Sequence, residues 1–194
     1  SQLRSLSHLL VAESAQALQN KALRNQHLAL ALQNSSARHA QEVREGVLFR
    51  AARWSLEDHD AGATLDWLGQ LPQGASRRTL ALRMKLRAAR YGRQTLPALE
   101  TARLLAKHRA FSPAAAQSIL RGLALELLDE AHDPVQLQQA WTLLDDSERA
   151  MPELSVHAAA RLMSLHGDAA LARSWLLPVW ERMLEPRSEL GDNL

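Results

Sequence analysis

The feature that most constrains this chain is a recurrence at one fixed offset. Leu137, Trp141, Leu143 and Pro152 return as Leu171, Trp175, Leu177 and Pro186, each pair 34 residues apart. That is the length of one helix–turn–helix unit in a stacked repeat. Four matches on a single offset, closed by proline in both copies, point to duplicated helices stacked in one array. Within the second copy, the run from Ala158 to Asp168, with Ala172 and Trp180 beyond it, reads as a helix, a tight turn and an answering helix.

Local preference agrees with that period. The chain is rich in Leu, Ala, Gln, Arg and Glu and poor in Val, Ile, Thr and aromatic residues, so helix is favoured almost everywhere. With 46% hydrophobic content, 194 residues suffice for a substantial core, and the length fits one domain over 1–194. Cysteine is absent, which excludes disulfides, thiolate metal sites and thiol catalysis. No apolar run approaches the roughly 20 residues of a membrane span, and the amino end has no signal-sequence pattern. Since the chain begins with Ser and not Met, it is expected to be a piece of a longer protein.

Taken in order, two apolar patterns fill 8–33, with Gln19-Asn20-Lys21 as their turn. Ser35 and Ser36 offer a cap to a longer helix carrying Val47, Leu48, Ala51, Ala52 and Leu56. Asp60 can cap a shorter one with Leu65, Trp67 and Leu68, stopped before Pro72, so the second hairpin covers 37–71. The third spans 75–108, where Leu48, Arg53, Leu65 and Leu71 recur as Leu82, Arg87, Leu99 and Leu105. Ser112-Pro113 opens the fourth, 113–149, which turns at His132-Asp133-Pro134. Pro152 opens the fifth, 152–185. The expectation is an all-α fold, a right-handed α-solenoid of about five tetratricopeptide-like helix hairpins.

Three candidate chemistries stand out. His59, His132 and His166 close first helices beside Asp60, Asp133 and Asp168; the recurrence invites a metal site, but helix-end histidines and capping aspartates explain it better. No HExxH pair supports a metal. Trp141 and Trp175 occupy equivalent repeat positions, as packing residues do. Charge is the third: 77–109 holds ten Lys and Arg with Glu100 the only acid, and 126–148 holds seven Asp and Glu with no Lys or Arg. Arg83, Arg87 and Arg90 share one helical face and are the candidate partner-binding residues, donors for a partner's carboxylates. The competing reading makes the basic and acidic runs two solvated faces. Nucleic acid is disfavoured, because Tyr91 is the only aromatic in the basic run. No nucleophile elbow, P-loop or dinucleotide fingerprint is present, so neither catalytic residues nor a cofactor are expected.

In Leu9-Leu10-Val11-Ala12-Glu13-Ser14-Ala15-Gln16, Arg24-Asn25-Gln26-His27-Leu28, the 137–141 segment and His166-Gly167-Asp168 with Ala172, the chain resembles the HemY family of proteobacteria. These are tetratricopeptide proteins linked to late haem biosynthesis, and the resemblance covers most of 8–185. It implies an intact protein with two amino-terminal membrane helices and a repeat domain at the inner membrane, on the cytoplasmic side by the positive-inside rule. It implies an accessory role, in handling protoporphyrin or haem or in scaffolding the terminal enzymes. A non-catalytic scaffold for late haem-biosynthesis enzymes is the expectation, with direct porphyrin binding or generic peptide binding as alternatives. A flavin-dependent protoporphyrinogen oxidase shares the name; its Gly-rich flavin motif is absent here, so oxidase activity is not carried over. No family residue roles are transferred.

Overall fold

Residues 2–34 and 40–184 are described by the computed structural model of the chain. Among them the backbone is helical, with no strand. The helices are α1 (Gln2–Ala17), α2 (Lys21–Gln33), α3 (Ala40–Glu57), α4 (Ala61–Gly69), α5 (Gln73–Ser76), α6 (Thr79–Tyr91), α7 (Thr95–Lys107), α8 (Pro113–Asp129), α9 (Pro134–Leu143), α10 (Asp146–Arg149), α11 (Pro152–Ser164) and α12 (Ala169–Leu184). They form two compact units, Ser1–Ala110 and Phe111–Leu194. In the first, α1 packs on α2, α3 on α4 and α6 on α7; in the second, α8 packs on α9 and α11 on α12. Helices packed in neighbouring pairs are compatible with a helical repeat.

Local chemistry explains where most helices begin. Asn20, Asp60, Ser112 and Asp133 each turn a side-chain oxygen onto a free amide of the first turn. Pro113, Pro134 and Pro152 stand at helix starts, where a missing amide hydrogen removes nothing. The expected Ser35/Ser36 cap and the closing Pro186 lie outside the described residues.

Five helices end in the same way. Gln19, His59, Arg93, Arg109 and His166 have φ between 51° and 60°. The amide of the next residue reaches back five positions, as Asp60 does to Ser55 and Gly167 to Leu162, while the left-handed residue itself reaches back three. This double closure satisfies carbonyls that a helix end leaves free. It normally uses glycine, and none of these five residues is glycine. At His166 the glycine stands one place later for another reason: a Cβ on Gly167 would lie 2.7 Å from Leu162 Cγ and 3.0 Å from its carbonyl oxygen.

Burial follows the 34-residue spacing at some positions and not at others: Leu137 and Leu99 are fully buried, while their counterparts Leu171 and Leu65 are half-buried. Leu48 and Leu82 are both buried, as are Leu71 and Leu105, Trp141 and Trp175, and also Ala124 with Ala158 and Leu128 with Leu162. Leu143 and Leu177 are both exposed. Each fully buried leucine of this set contributes about 2 kcal/mol of transfer free energy.

Several expected boundaries are corrected. The first hairpin begins at Gln2 and not at 8, because Leu3 and Leu6 are exposed and add nothing to the apolar stripe that marked its start. The third hairpin is preceded by the separate one-turn α5, and its first long helix starts at Thr79. The fourth breaks at Leu144, whose extended backbone (ψ 143°) leads into α10. There the Asp145 carboxylate accepts from the Glu148 amide and the Glu148 carboxylate from the Asp145 amide, which buries Glu148 completely. Helix α12 carries Pro178 in its interior.

Candidate functional site

Helix α6 is the most cationic element of the first unit, and its placement sets what its charges can do. Ala81, Leu82, Met84, Leu86, Ala88 and Ala89 are buried against the neighbouring α3, α4 and α7. The opposite face carries Arg83, Arg87 and Arg90, all exposed, with Leu80 and Tyr91 beside them. The structure thus keeps the three arginines on one open face. Arg83 is partly committed, since its Nη2 donates to the Ala110 carbonyl at 2.9 Å, beyond the end of α7. Arg87 and Arg90 make no ion pair among the described residues. The face ends in an aromatic contact, Tyr91 meeting the His59 ring edge-on at 4.9 Å between centroids.

Three other members of the basic run are structural. Arg78 pairs with Glu45 on α3 at 3.1 Å, and Arg93 and Arg109 form left-handed helix ends. The acidic run, in the second unit, is largely absorbed as well. Asp133 and Asp145 cap helices, Glu148 is buried, and Asp129 accepts from His157 at 2.7 Å. Beside Asp129, Arg161 on α11 donates to the Leu128, Asp129 and Ala131 carbonyls at the end of α8.

On the other side of α6 lies a cleft that the sequence did not announce. Helices α4 and α7 both pack on α6, but α4 has only nine residues, ending at Gly69 ahead of Leu71-Pro72, while α7 has thirteen. The space of about 550 Å³ left there is lined by Leu65, Leu68, Leu71, Leu82, Pro97 and Leu104, and by two cations, Lys85 and Arg77. Arg83, Arg87 and Arg90 do not line it.

The two equivalent tryptophans serve each other. Trp141 and Trp175 stack at 4.9 Å between centroids with 23° between their planes, and both are buried. Their faces in mutual contact leave no slot for a flat ligand between them. A smaller hollow of about 350 Å³ adjoins them, lined by Arg149, Ser174, Pro178 and Arg182 among others. Arg149 there is paired with Asp146 at 3.0 Å, and Arg182 Nε donates to the Pro178 carbonyl. Trp54 is buried in the core of the first unit, and Trp67 is packed against it.

The three-histidine recurrence divides in two. His59 and His166 are left-handed helix ends, whereas the His132 amide donates to Gln136 Oε1 at 2.9 Å in an ordinary turn. Another histidine pair does meet: His8 on α1 and His27 on α2 face each other Nδ1 to Nδ1 at 3.0 Å. Among the described residues no group of three or more His, Cys, Asp or Glu gathers as metal donors would.

One ion pair ties the start of α2 to the end of α3. Arg24, 3% exposed, donates to Asp58 Oδ2 at 2.9 Å and to Gln16 Oε1 at 2.6 Å, and Lys21 lies 3.2 Å from Asp58 Oδ1. Burial pushes the Asp58 carboxyl upward, but the hydrogen bonds and charges of Arg24 and Lys21 outweigh it and hold it below its usual value. Arg24 and Asp58 are themselves 34 residues apart.

No helix among the described residues is long and apolar enough to cross a membrane. Comparison with family models, curated proteins and solved structures finds no match to this chain.

Proposed function

We propose that this chain is a non-catalytic scaffold built as a tetratricopeptide-like solenoid, which captures an acidic segment of a partner protein on the open face of α6. The observation that carries the reading is the placement of Arg83, Arg87 and Arg90 on the exposed face of α6, opposite its buried Ala81, Leu82, Ala88 and Ala89, with Arg87 and Arg90 free of ion pairs among the described residues. Guanidinium groups held one helical turn apart suit carboxylates in bidentate geometry. The resemblance to the HemY family suggests the partner class: enzymes of the last steps of haem biosynthesis, with the intact protein anchored at the inner membrane.

The test is capture from a membrane extract by the intact protein, in parallel with an R83Q/R87Q/R90Q variant. Specific recovery of ferrochelatase or another late haem enzyme, lost in the variant while helix content is retained, supports the scaffold. Equal recovery by the variant removes the α6 face from the account. Recovery of no such enzyme, with stoichiometric porphyrin uptake by the chain, replaces the scaffold by a ligand carrier. The mutual stacking of Trp141 and Trp175 argues against that outcome, because it closes the most obvious aromatic platform.

A further inference from the structure

One residue in the cleft on the covered side of α6 is out of pattern. Ala81, Leu82, Ala88 and Ala89 on that side are buried, yet Lys85, one turn from both Ala81 and Ala89, is exposed. An ammonium group on the apolar side of a helix is expelled or neutralised unless space and a counter-charge are available. The cleft supplies the space: about 550 Å³, within the roughly 300–1,000 Å³ typical of small-ligand sites. No counter-charge is supplied from within, since neither Lys85 nor Arg77, the second cation lining the cleft, has a carboxylate partner among the described residues. The remaining walls are apolar apart from Ser76 and Gln94, with five leucines and Pro97 among them, and Leu104 is 44% exposed.

We propose that this cleft binds a small amphiphilic anion, its aliphatic or aromatic body against Leu65, Leu68, Leu82 and Leu104 and its carboxylate, sulfonate or phosphate head between Lys85 and Arg77. A purely apolar ligand would remove water from two cations without pairing them, and an inorganic anion would leave the leucines wet. Only a ligand carrying both parts satisfies both walls. The site lies on the side of α6 away from Arg83, Arg87 and Arg90 and is independent of the scaffold reading.

The cleft comes with a position at which it can be closed. Gly69 lines it, a Cβ built there meets nothing within 4 Å, and its backbone φ is not positive, so a larger side chain fits there without backbone strain. The experiment is titration of the full chain with anilinonaphthalene sulfonate, followed by fluorescence and by displacement with dodecanoate or with the uncharged dodecanol. The expected result is one saturable site emptied by dodecanoate and not by dodecanol at equal concentration. Lys85→Met and Arg77→Gln should each weaken it about tenfold, the loss of one charge-assisted hydrogen bond. Gly69→Leu should abolish it with an unchanged circular dichroism spectrum. Absence of a saturable site, displacement by dodecanol as good as by dodecanoate, or full binding in Lys85→Met overturns the proposal. Dye held elsewhere on the chain, such as on the exposed leucines of α1, would survive all three substitutions and counts against it. Should Gly69→Leu fail to fold, Lys85→Met decides alone.

Discussion

At His166 the side chain is incidental and the backbone is what matters. The residue sits at φ 60°, a conformation that costs a non-glycine residue about 1 kcal/mol. His166→Gly is therefore expected to leave thermal stability unchanged or to raise it by up to ~1 kcal/mol, and His166→Val to lower it by about 1–2 kcal/mol. A marked loss in the glycine variant would mean that the imidazole has a role the contacts do not show. The adjacent Gly167 behaves oppositely. Its hydrogen faces the fully buried Leu162, so Gly167→Ala should cost about 1–3 kcal/mol in chemical denaturation. Asp58 adds a pH dependence. Its folded-state pKa is depressed, so its contribution is complete above the unfolded value of about 3.9 and is lost as pH falls through the lower folded value. Asp58→Asn leaves the buried Arg24 without its anion and should destabilise by roughly 2–3 kcal/mol near neutral pH. The gap between wild type and variant should close only below about pH 4; a gap that stayed constant to lower pH would contradict the ion pair.

At the scale of the element, what was legible in the sequence was what is local. Asp60, Ser112-Pro113 and Asp133-Pro134 announce helix starts because a cap acts on amides only two or three residues away. The 34-residue spacing matched burial at Leu48 and Leu82 and at Trp141 and Trp175, but not at Leu137 and Leu171, of which only the first is fully buried. The start of α1 was missed because Leu3 and Leu6 face outward, and the break at Leu144 because no glycine or proline marks it. The Arg83, Arg87 and Arg90 face could be read from helical spacing alone. The cleft beside Lys85 could not, because it depends on the different lengths of α4 and α7 around α6. The Arg24–Asp58 pair was missed for a related reason: the two residues meet only when α2 and the end of α3 are brought together. The tryptophan pair tests the register directly. Trp141→Ala removes half of a buried stack and is expected to cost about 3–5 kcal/mol. It should also abolish the coupled indole signal in circular dichroism, a signal that Trp67→Ala should leave in place.

At the scale of the whole molecule, charge is allotted to two kinds of task. Much of it is spent inside the fold, on caps, on helix ends and on pairs such as Arg78–Glu45 and His157–Asp129. What remains uncommitted on α6 is positive, on two opposite sides of one helix. A partner held by such exposed arginines should bind with strong salt dependence, since the screening length is about 8 Å at physiological ionic strength. The central claim, that the α6 face captures a partner through its arginines, is tested most directly by titrating ferrochelatase with the chain at low and at physiological salt, comparing wild type with R83Q/R87Q/R90Q. The account predicts binding that weakens steeply with salt in the wild type, and that in the variant is weaker and nearly salt-independent. Equal affinity and equal salt dependence in the two proteins would contradict it.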